Sequence, residues 1–125
     1  MRWEKLRQEM DKYIPFINRT ECCKILLEDI LYIEQQKREI IIVTEDVTYR
    51  KYCKINEMDQ YLDGRFFYSL KTLVINFSNV MSMRDQTIRF KNGVEIYLGR
   101  HNYVRTKQSF AIYIKNPCNS NGFIV

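Results

Sequence analysis

The clearest structural signal in this chain is the run Phe66-Phe67-Tyr68-Ser69-Leu70-Lys71-Thr72-Leu73-Val74-Ile75-Asn76-Phe77-Ser78-Asn79-Val80. Aromatic and β-branched residues at this density favour a pleated, half-buried β-strand. We predict one strand over residues 67–76, with Lys71 as its only cation. Asn76 stands at the end of that strand, where its side chain is expected to close a turn through the nearby backbone.

Strand signals separated by turn residues continue on both sides of this run. Pro15 marks the first segment as an edge strand, because proline cannot donate to a ladder. Asn92-Gly93 predicts a hairpin turn near the end of the series. The eight further predicted strands cover residues 13–18, 22–27, 31–35, 40–43, 47–52, 80–83, 87–90 and 94–98.

Two segments have helical rather than strand signals. The first has Asn56 as its predicted N-cap and four apolar residues on one face, namely Ile55, Met58, Tyr61 and Leu62. The second helix is predicted within residues 102–114. The expected fold is therefore mainly all-β, with one short helix between strands and a C-terminal helix.

The chain length of 125 residues fits a single domain with its own core. We predict an N-terminal helical extension at residues 1–12, a domain at 13–115 and a flexible tail at 116–125. Trp3, Leu6 and Met10 share one face of the predicted N-terminal helix.

The positive charge is concentrated in the second half of the chain. Residues 1–63 hold 11 Lys+Arg and 13 Asp+Glu, a net charge of −2, whereas residues 64–125 hold 9 and 2, a net charge of +7; together they give the total of +5. An uneven cation excess is typical of proteins that bind polyanions. From the charge alone, however, a role in solubility explains the cation excess equally well.

The residue inventory gives little support for catalysis or metal binding. The chain has one histidine, His101, and its four glycines form no phosphate-binding loop. No ligand spacing for a metal is present. The four cysteines, at 22, 23, 53 and 118, are expected to be reduced, and no signal peptide or bilayer-spanning run is found. We predict a cytoplasmic, non-enzymatic protein without cofactor or metal.

Four segments, taken in order, resemble the LytTR family of bacterial DNA-binding domains. They are the opening run, Leu27-Glu28-Asp29-Ile30-Leu31-Tyr32-Ile33-Glu34, Asp63-Gly64-Arg65-Phe66-Phe67, and the stretch from Thr87 to Arg100. The resemblance covers residues 13 to about 115. It implies an elongated stack of small antiparallel sheets whose end loops enter successive major grooves. Without a receiver domain, the chain is expected to be a stand-alone DNA-binding domain.

The resemblance also implies roles for individual residues. Lys71 and Arg100 match positions that contact base edges, whereas from the residues alone Lys71 would be an ordinary solvent-facing lysine. Phosphate contacts are expected from His101, Asn102, Arg105 and Lys107, and from the predicted turn Lys37-Arg38-Glu39. Glu39 departs from the family pattern, since a carboxylate near phosphates is unfavourable unless it accepts a hydrogen bond from cytosine.

These features predict sequence-specific binding of double-stranded DNA by a transcriptional regulator, with two protomers on paired repeats. One alternative is a protein-interaction module held by a membrane antagonist, whose regulatory partner would bind Trp3, Leu6 and Met10. Another is a binder of single strands or RNA that stacks bases on exposed tyrosines. The candidates for stacking are Tyr49, Tyr52, Tyr68 and Tyr97, for which a core position is the preferred interpretation.

Overall fold

The computed structural model describes residues 12–116. This part of the chain contains ten β-strands and one α-helix, with short 3-10 helices at Leu27–Asp29, Ile55–Tyr61 and Phe77–Asn79. The elements are β1 (Tyr13–Ile17), β2 (Cys22–Leu26), β3 (Ile30–Gln36), β4 (Glu39–Thr44), β5 (Thr48–Tyr52), β6 (Phe66–Leu70), β7 (Leu73–Asn76), β8 (Val80–Arg84), β9 (Thr87–Phe90), β10 (Glu95–Tyr97) and α1 (Arg100–Lys115).

The strands form three small antiparallel sheets. The central sheet has the order β5-β4-β3-β7-β6, and the other two have the orders β1-β2 and β10-β9-β8. The prediction of a mainly β fold with small antiparallel sheets, a short helix between strands and a C-terminal helix is confirmed.

The central sheet separates two hydrophobic cores. One face packs against β1, β2 and the 3-10 helix Ile55–Tyr61, with Ile33 and Ile42 at the centre of that core. The other face packs against the three-stranded sheet and α1, with Ile75 and Phe90 fully buried between them. Neighbouring residues of the central strands point to opposite faces of the sheet. Most of them are apolar because both faces are covered.

The single strand predicted at residues 67–76 is wrong. The chain reverses at Lys71-Thr72, so that β6 and β7 form a hairpin in which Leu70 lies opposite Leu73. The reversal lets β7 pair with both β3 and β6, which buries every residue of β7. A continuous strand of the same composition would leave half of these apolar residues without a covering layer.

Three further expectations differ from the structure or fall outside it. The first helical segment begins at Ile55 rather than after Asn56, and the carboxylate of Glu57 accepts the backbone N–H of Lys54 (3.1 Å). Helix α1 is longer than predicted. The extension at residues 1–11, with its predicted helix, and the tail at 117–125 lie outside the described residues.

Candidate nucleic-acid interface

Two turns that carry cations lie at the same end of the central sheet. The β3–β4 turn consists of Lys37 and Arg38, and the β6–β7 turn of Lys71 and Thr72. The backbone N–H of Gln35 donates to the carbonyl of Thr72 (2.9 Å), so the two turns are neighbours. Lys37, Arg38 and Lys71 are all exposed. We call this end of the sheet the turn end.

Helix α1 points its N-terminus toward the turn end. The hydroxyl of Thr106 donates a hydrogen bond to the hydroxyl of Ser69 (3.0 Å), close to the β6–β7 turn. One helical turn later, the ring of Phe110 packs at 5.4 Å from that of Phe77, which follows β7 at the opposite end of the sheet. Arg100 precedes Thr106 by six residues, or about 9 Å of helix. It therefore lies on the turn-end side.

The first turn of α1 is suited to anions. Its first turn has no acidic residue, and Arg100 and His101 are exposed. The backbone N–H groups at the start of a helix have no intrahelical acceptor, and the helix dipole places partial positive charge there. Asn102 is half-buried beside them. Phosphate oxygens are favourable partners for such a helix start.

A shallow groove of about 540 Å³ opens at the turn end, between the β6–β7 turn and the 3-10 helix Ile55–Tyr61. Lys54, Lys71 and Arg105 contribute to its lining, together with the carboxylate of Asp59. The phenol of Tyr68 donates to that carboxylate (2.6 Å). The cations therefore outnumber the acid, which favours an anionic partner at this end.

Glu39 does not lie in the turn where the sequence predicted it. It is the first residue of β4, opposite Gln36, and its carboxylate forms an ion pair with Arg50 (3.1 Å). The two-residue turn places only Lys37 and Arg38 at the tip. Because Arg50 neutralises the carboxylate, Glu39 repels a phosphate less than its position in the sequence suggested.

Arg105 is engaged within the protein. Its guanidinium donates to the carbonyls of Tyr68 (3.1 Å) and Ser69 (2.7 Å) and lies 5.1 Å from the centre of the Phe67 ring. The ladder between β6 and β7 is irregular between Tyr68 and Leu70. Arg105 thus attaches α1 to the irregular part of β6, a role that its position in the sequence did not reveal.

The prediction that Asn76 closes a turn is confirmed. Its side-chain oxygen accepts the backbone N–H of Ser78 (3.0 Å), and its Nδ2 donates to the carbonyl of Ile30 (2.8 Å). Sequence reasoning missed Asn79, whose Nδ2 donates to the same carbonyl (2.7 Å). Both side chains are buried and join the 3-10 helices Leu27–Asp29 and Phe77–Asn79. The three-residue spacing of the two asparagines is the signal that could have revealed this pair.

The four tyrosines considered for base stacking divide into two groups. Tyr49 and Tyr68 are half-buried, whereas Tyr52 is 80% and Tyr97 70% exposed. A core position is therefore wrong for Tyr52 and Tyr97. Tyr52 lies opposite Glu39 and hence near the turn end, while the Tyr97 phenol accepts from the Gln86 amide (3.0 Å).

Within residues 12–116, no group of three or more His, Cys, Asp or Glu side chains is placed to hold a metal ion. Cys22, Cys23 and Cys53 are free thiols, and burial raises the pKa of Cys53. None of the helices in this part of the chain is long and apolar enough to cross a membrane.

Comparison with known proteins agrees with this arrangement. The family model for the LytTr DNA-binding domain matches residues 20–111, which is most of the chain. The chain belongs to the LytTR family. A solved LytTr DNA-binding domain of a response regulator from Bacillus cereus shares the fold, with a TM-score of 0.64 over 78% of this chain and 95% of that chain, at 10% identity. The search of curated proteins found no match.

Most of the residues for which DNA contacts were predicted fall into two groups in this LytTR domain, while Asn102 is half-buried and Lys107 is exposed further along α1. Exposed groups at or toward the turn end come from Lys37, Arg38, Lys71, Arg100 and His101. Glu39 and Arg105 instead have partners inside the protein. The geometry thus separates side chains that are free to reach a ligand from those that are paired with other groups of the LytTR domain.

Proposed function

We propose that this LytTR domain binds duplex DNA in a sequence-specific manner as a transcriptional regulator. The observation that carries the proposal is the convergence of two cationic turns and the start of α1 at one end of the central sheet. A set of exposed donors on rigid elements can fit the regular spacing of a double helix. The protein would act by binding rather than by catalysis.

Base readout is assigned to Lys71 and Arg100. Lysine and arginine donate to O6 and N7 of guanine in the major groove, and arginine can do so with two parallel hydrogen bonds. Lys71 lies in the two-residue turn of a hairpin, and Arg100 is the first residue of a helix. Both side chains therefore extend from backbone that regular secondary structure holds in place. These placements support readout better than the strand position that the sequence predicted for Lys71.

Affinity is assigned to phosphate contacts. Lys37, Arg38 and His101 are exposed, and residues 64–125 carry a net charge of +7. Neutralising phosphates releases counterions, so the affinity should fall steeply as salt rises. The carboxylate of Glu39 should repel phosphates only weakly, because it forms an ion pair with Arg50.

The proposed DNA-binding unit is the domain at residues 13–115. The two cores share the central sheet, and α1 is attached to β6, which supports a single unit. Two protomers on paired repeats, and a regulatory protein that binds Trp3, Leu6 and Met10, complete the proposal. Both rest on the family resemblance and on the apolar face predicted from the sequence.

The test is an unbiased selection of bound duplexes from a random pool, followed by affinity measurements on the selected duplex, a scrambled duplex and the corresponding single strands. We expect the selected duplex to bind about 1,000-fold or more tighter than the scrambled one. Affinity for both duplexes should drop by orders of magnitude between roughly 50 and 200 mM salt. No enrichment, and no duplex binding at low salt, would refute the proposal. Preference for single strands would instead favour stacking on Tyr52 and Tyr97.

A further inference from the structure

Gln35, the next-to-last residue of β3, uses its whole side-chain amide at the turn end. Its Nε2 donates to the carbonyls of Lys37 (3.1 Å), Glu39 (3.2 Å) and Cys53 (3.1 Å). Its Oε1 accepts the backbone N–H of Ile55 (2.7 Å). An amide group has two N–H donors, so these two are shared among three carbonyls. One half-buried side chain thus joins the β3–β4 turn to the segment that links β5 and the 3-10 helix.

The backbone of the same residue reaches the second cationic turn. The N–H of Gln35 donates to the carbonyl of Thr72 in the β6–β7 turn (2.9 Å). Gln35 therefore contacts both turns, one through its side chain and the other through its main chain. Lys37 follows Gln35 by two residues, whereas Thr72 is far away in sequence. Gln35 therefore connects a turn beside it in the chain to a distant one.

The β3–β4 turn needs such support because of its backbone conformation. Lys37 has a φ of 57°, in the left-handed region that non-glycine residues rarely adopt. A residue with a Cβ is disfavoured there and persists only where its surroundings hold it. The hydrogen bond from Gln35 to the carbonyl of Lys37 fixes this conformation directly.

The hydrogen bonds from the Gln35 side chain do more than stabilise the fold. Two of the three carbonyl acceptors belong to Lys37 and Glu39, the residues that form and close the turn. Hydrogen bonds weaken steeply when the donor or acceptor moves by a few tenths of an ångström or turns away. A turn held at several points therefore presents its exposed side chains at a fixed distance from the neighbouring turn.

We infer that Gln35 is a positioning residue for DNA readout, which fixes Lys37 and Arg38 relative to Lys71. This inference rests on the proposed function. Gln35 itself makes no contact with DNA in this scheme. It sets the spacing between the phosphate contacts of one turn and the base contact of the other, and so it affects the choice of sequence more than the overall attraction.

The substitution Gln35→Met tests this role, with Gln36→Met as the matched control. Gln36 is the next residue and is exposed, and within residues 12–116 its side chain bonds only to the Glu34 carboxylate (3.3 Å). Both substitutions preserve charge and approximate volume. Each variant is checked for folding by circular dichroism, and its affinity is then measured for the selected and the scrambled duplex.

We expect Gln35→Met to lower the ratio of selected to scrambled affinity by roughly tenfold, the order of a lost base contact. Scrambled binding should stay unchanged, because it depends on charge. Gln36→Met should leave both affinities unchanged. A purely structural role would lower the melting temperature of Gln35→Met without changing the ratio, and that result would overturn the inference.

Amide hydrogen exchange of the free protein gives a second readout that needs no DNA. The N–H of Ile55, which loses its acceptor, and the N–H of residue 35, which donates to Thr72 in the neighbouring turn, should exchange faster in Gln35→Met than in Gln36→Met. If wild-type protein prefers no duplex, the proposed function fails, while the exchange rates still decide whether Gln35 fixes the turns. Equal exchange in the two variants would count against it.

A variant that does not fold is replaced by one that keeps part of the network. Gln35→Asn keeps a neutral amide but is one methylene shorter, so it cannot reach both the β3–β4 turn and Ile55, and Gln36→Asn is its matched control. The same change in the affinity ratio is expected for the first and not for the second. If neither Gln35 variant folds, the side chain is required for folding itself and the positioning role is overturned.

Discussion

Arg105→Ala is the substitution for which the structure and the sequence lead to different expectations. From the sequence, Arg105 is one of several phosphate contacts, so its loss should affect DNA binding but hardly the fold. In the structure its guanidinium makes two hydrogen bonds to the carbonyls of β6 and lies over the ring of Phe67. Its loss should therefore destabilise the protein.

The magnitude follows from these contacts. Each hydrogen bond contributes about 1 kcal/mol net, and a cation–π contact at an exposed site about 0.5–1 kcal/mol. Arg105→Ala should thus lower the free energy of unfolding by about 2–3 kcal/mol. For a domain of this size, a loss of that order lowers Tm by about 10 °C.

Lys107→Ala is the matched control on the same helix. Lys107 is exposed, and within residues 12–116 the structure gives it no hydrogen bond or ion pair. Its substitution removes one positive charge and should change stability by no more than about 0.5 kcal/mol. Both changes should weaken scrambled-duplex binding comparably, because each removes one cation.

The assay is urea unfolding followed by circular dichroism, with wild type and the two variants in the same buffer. Equal stability of Arg105→Ala and Lys107→Ala would refute the reasoning. It would mean that the contacts of the guanidinium with β6 contribute nothing measurable to stability.

Four other substitutions test separate parts of the molecule. Lys71→Ala and Arg100→Ala should each weaken binding of the selected duplex by about 1–3 kcal/mol and binding of the scrambled duplex much less. Equal losses for the two duplexes in a binding titration would mean that Lys71 and Arg100 contact the DNA backbone. Asn76→Asp replaces two buried donated hydrogen bonds by a carboxylate facing carbonyls, so it should cost about 3 kcal/mol or more at pH 7 and less near pH 4, where protonation relieves it; urea unfolding at the two pH values should find that difference. Burial and the hydrogen bond to Asp59 raise the pKa of Tyr68 above its ordinary value of 10.0. Its contribution is therefore complete below about pH 10 and declines as the pH rises from there toward the raised pKa of the folded state. Tyr68→Phe should thus show a smaller alkaline loss of stability than wild type when urea unfolding is compared at neutral pH and above about pH 10.

Local sequence patterns were sufficient for most of the strands. Each β-strand has a run of residues that suits a half-buried pleated surface, and turn residues separate the runs. Gly93, with a φ of 92°, lies in the predicted turn between β9 and β10. The missed reversal at Lys71-Thr72 had no such signal, since neither residue is a turn former and neither has a positive φ.

The candidate interface was only partly accessible to sequence reasoning. Side-chain chemistry and the family pattern indicated Lys37, Arg38, Lys71 and Arg100, whose contacts with DNA stay predictions. Nothing local distinguished Arg105 from Lys107, because both are cations on one predicted helix. The difference between them is a set of carbonyls on β6, some 36 residues earlier in the chain.

The sequence by itself determined the family, the mainly β composition, the uneven charge and the supply of donors, because these depend on residue types and their short-range order. Only the tertiary structure decided which donors are free. The amide of Gln35 meets partners 18 and 20 residues away, and Asn76 meets the carbonyl of Ile30 across 46 residues. Such pairings depend on how sheets and helices pack, and packing is a property of the whole fold rather than of any segment.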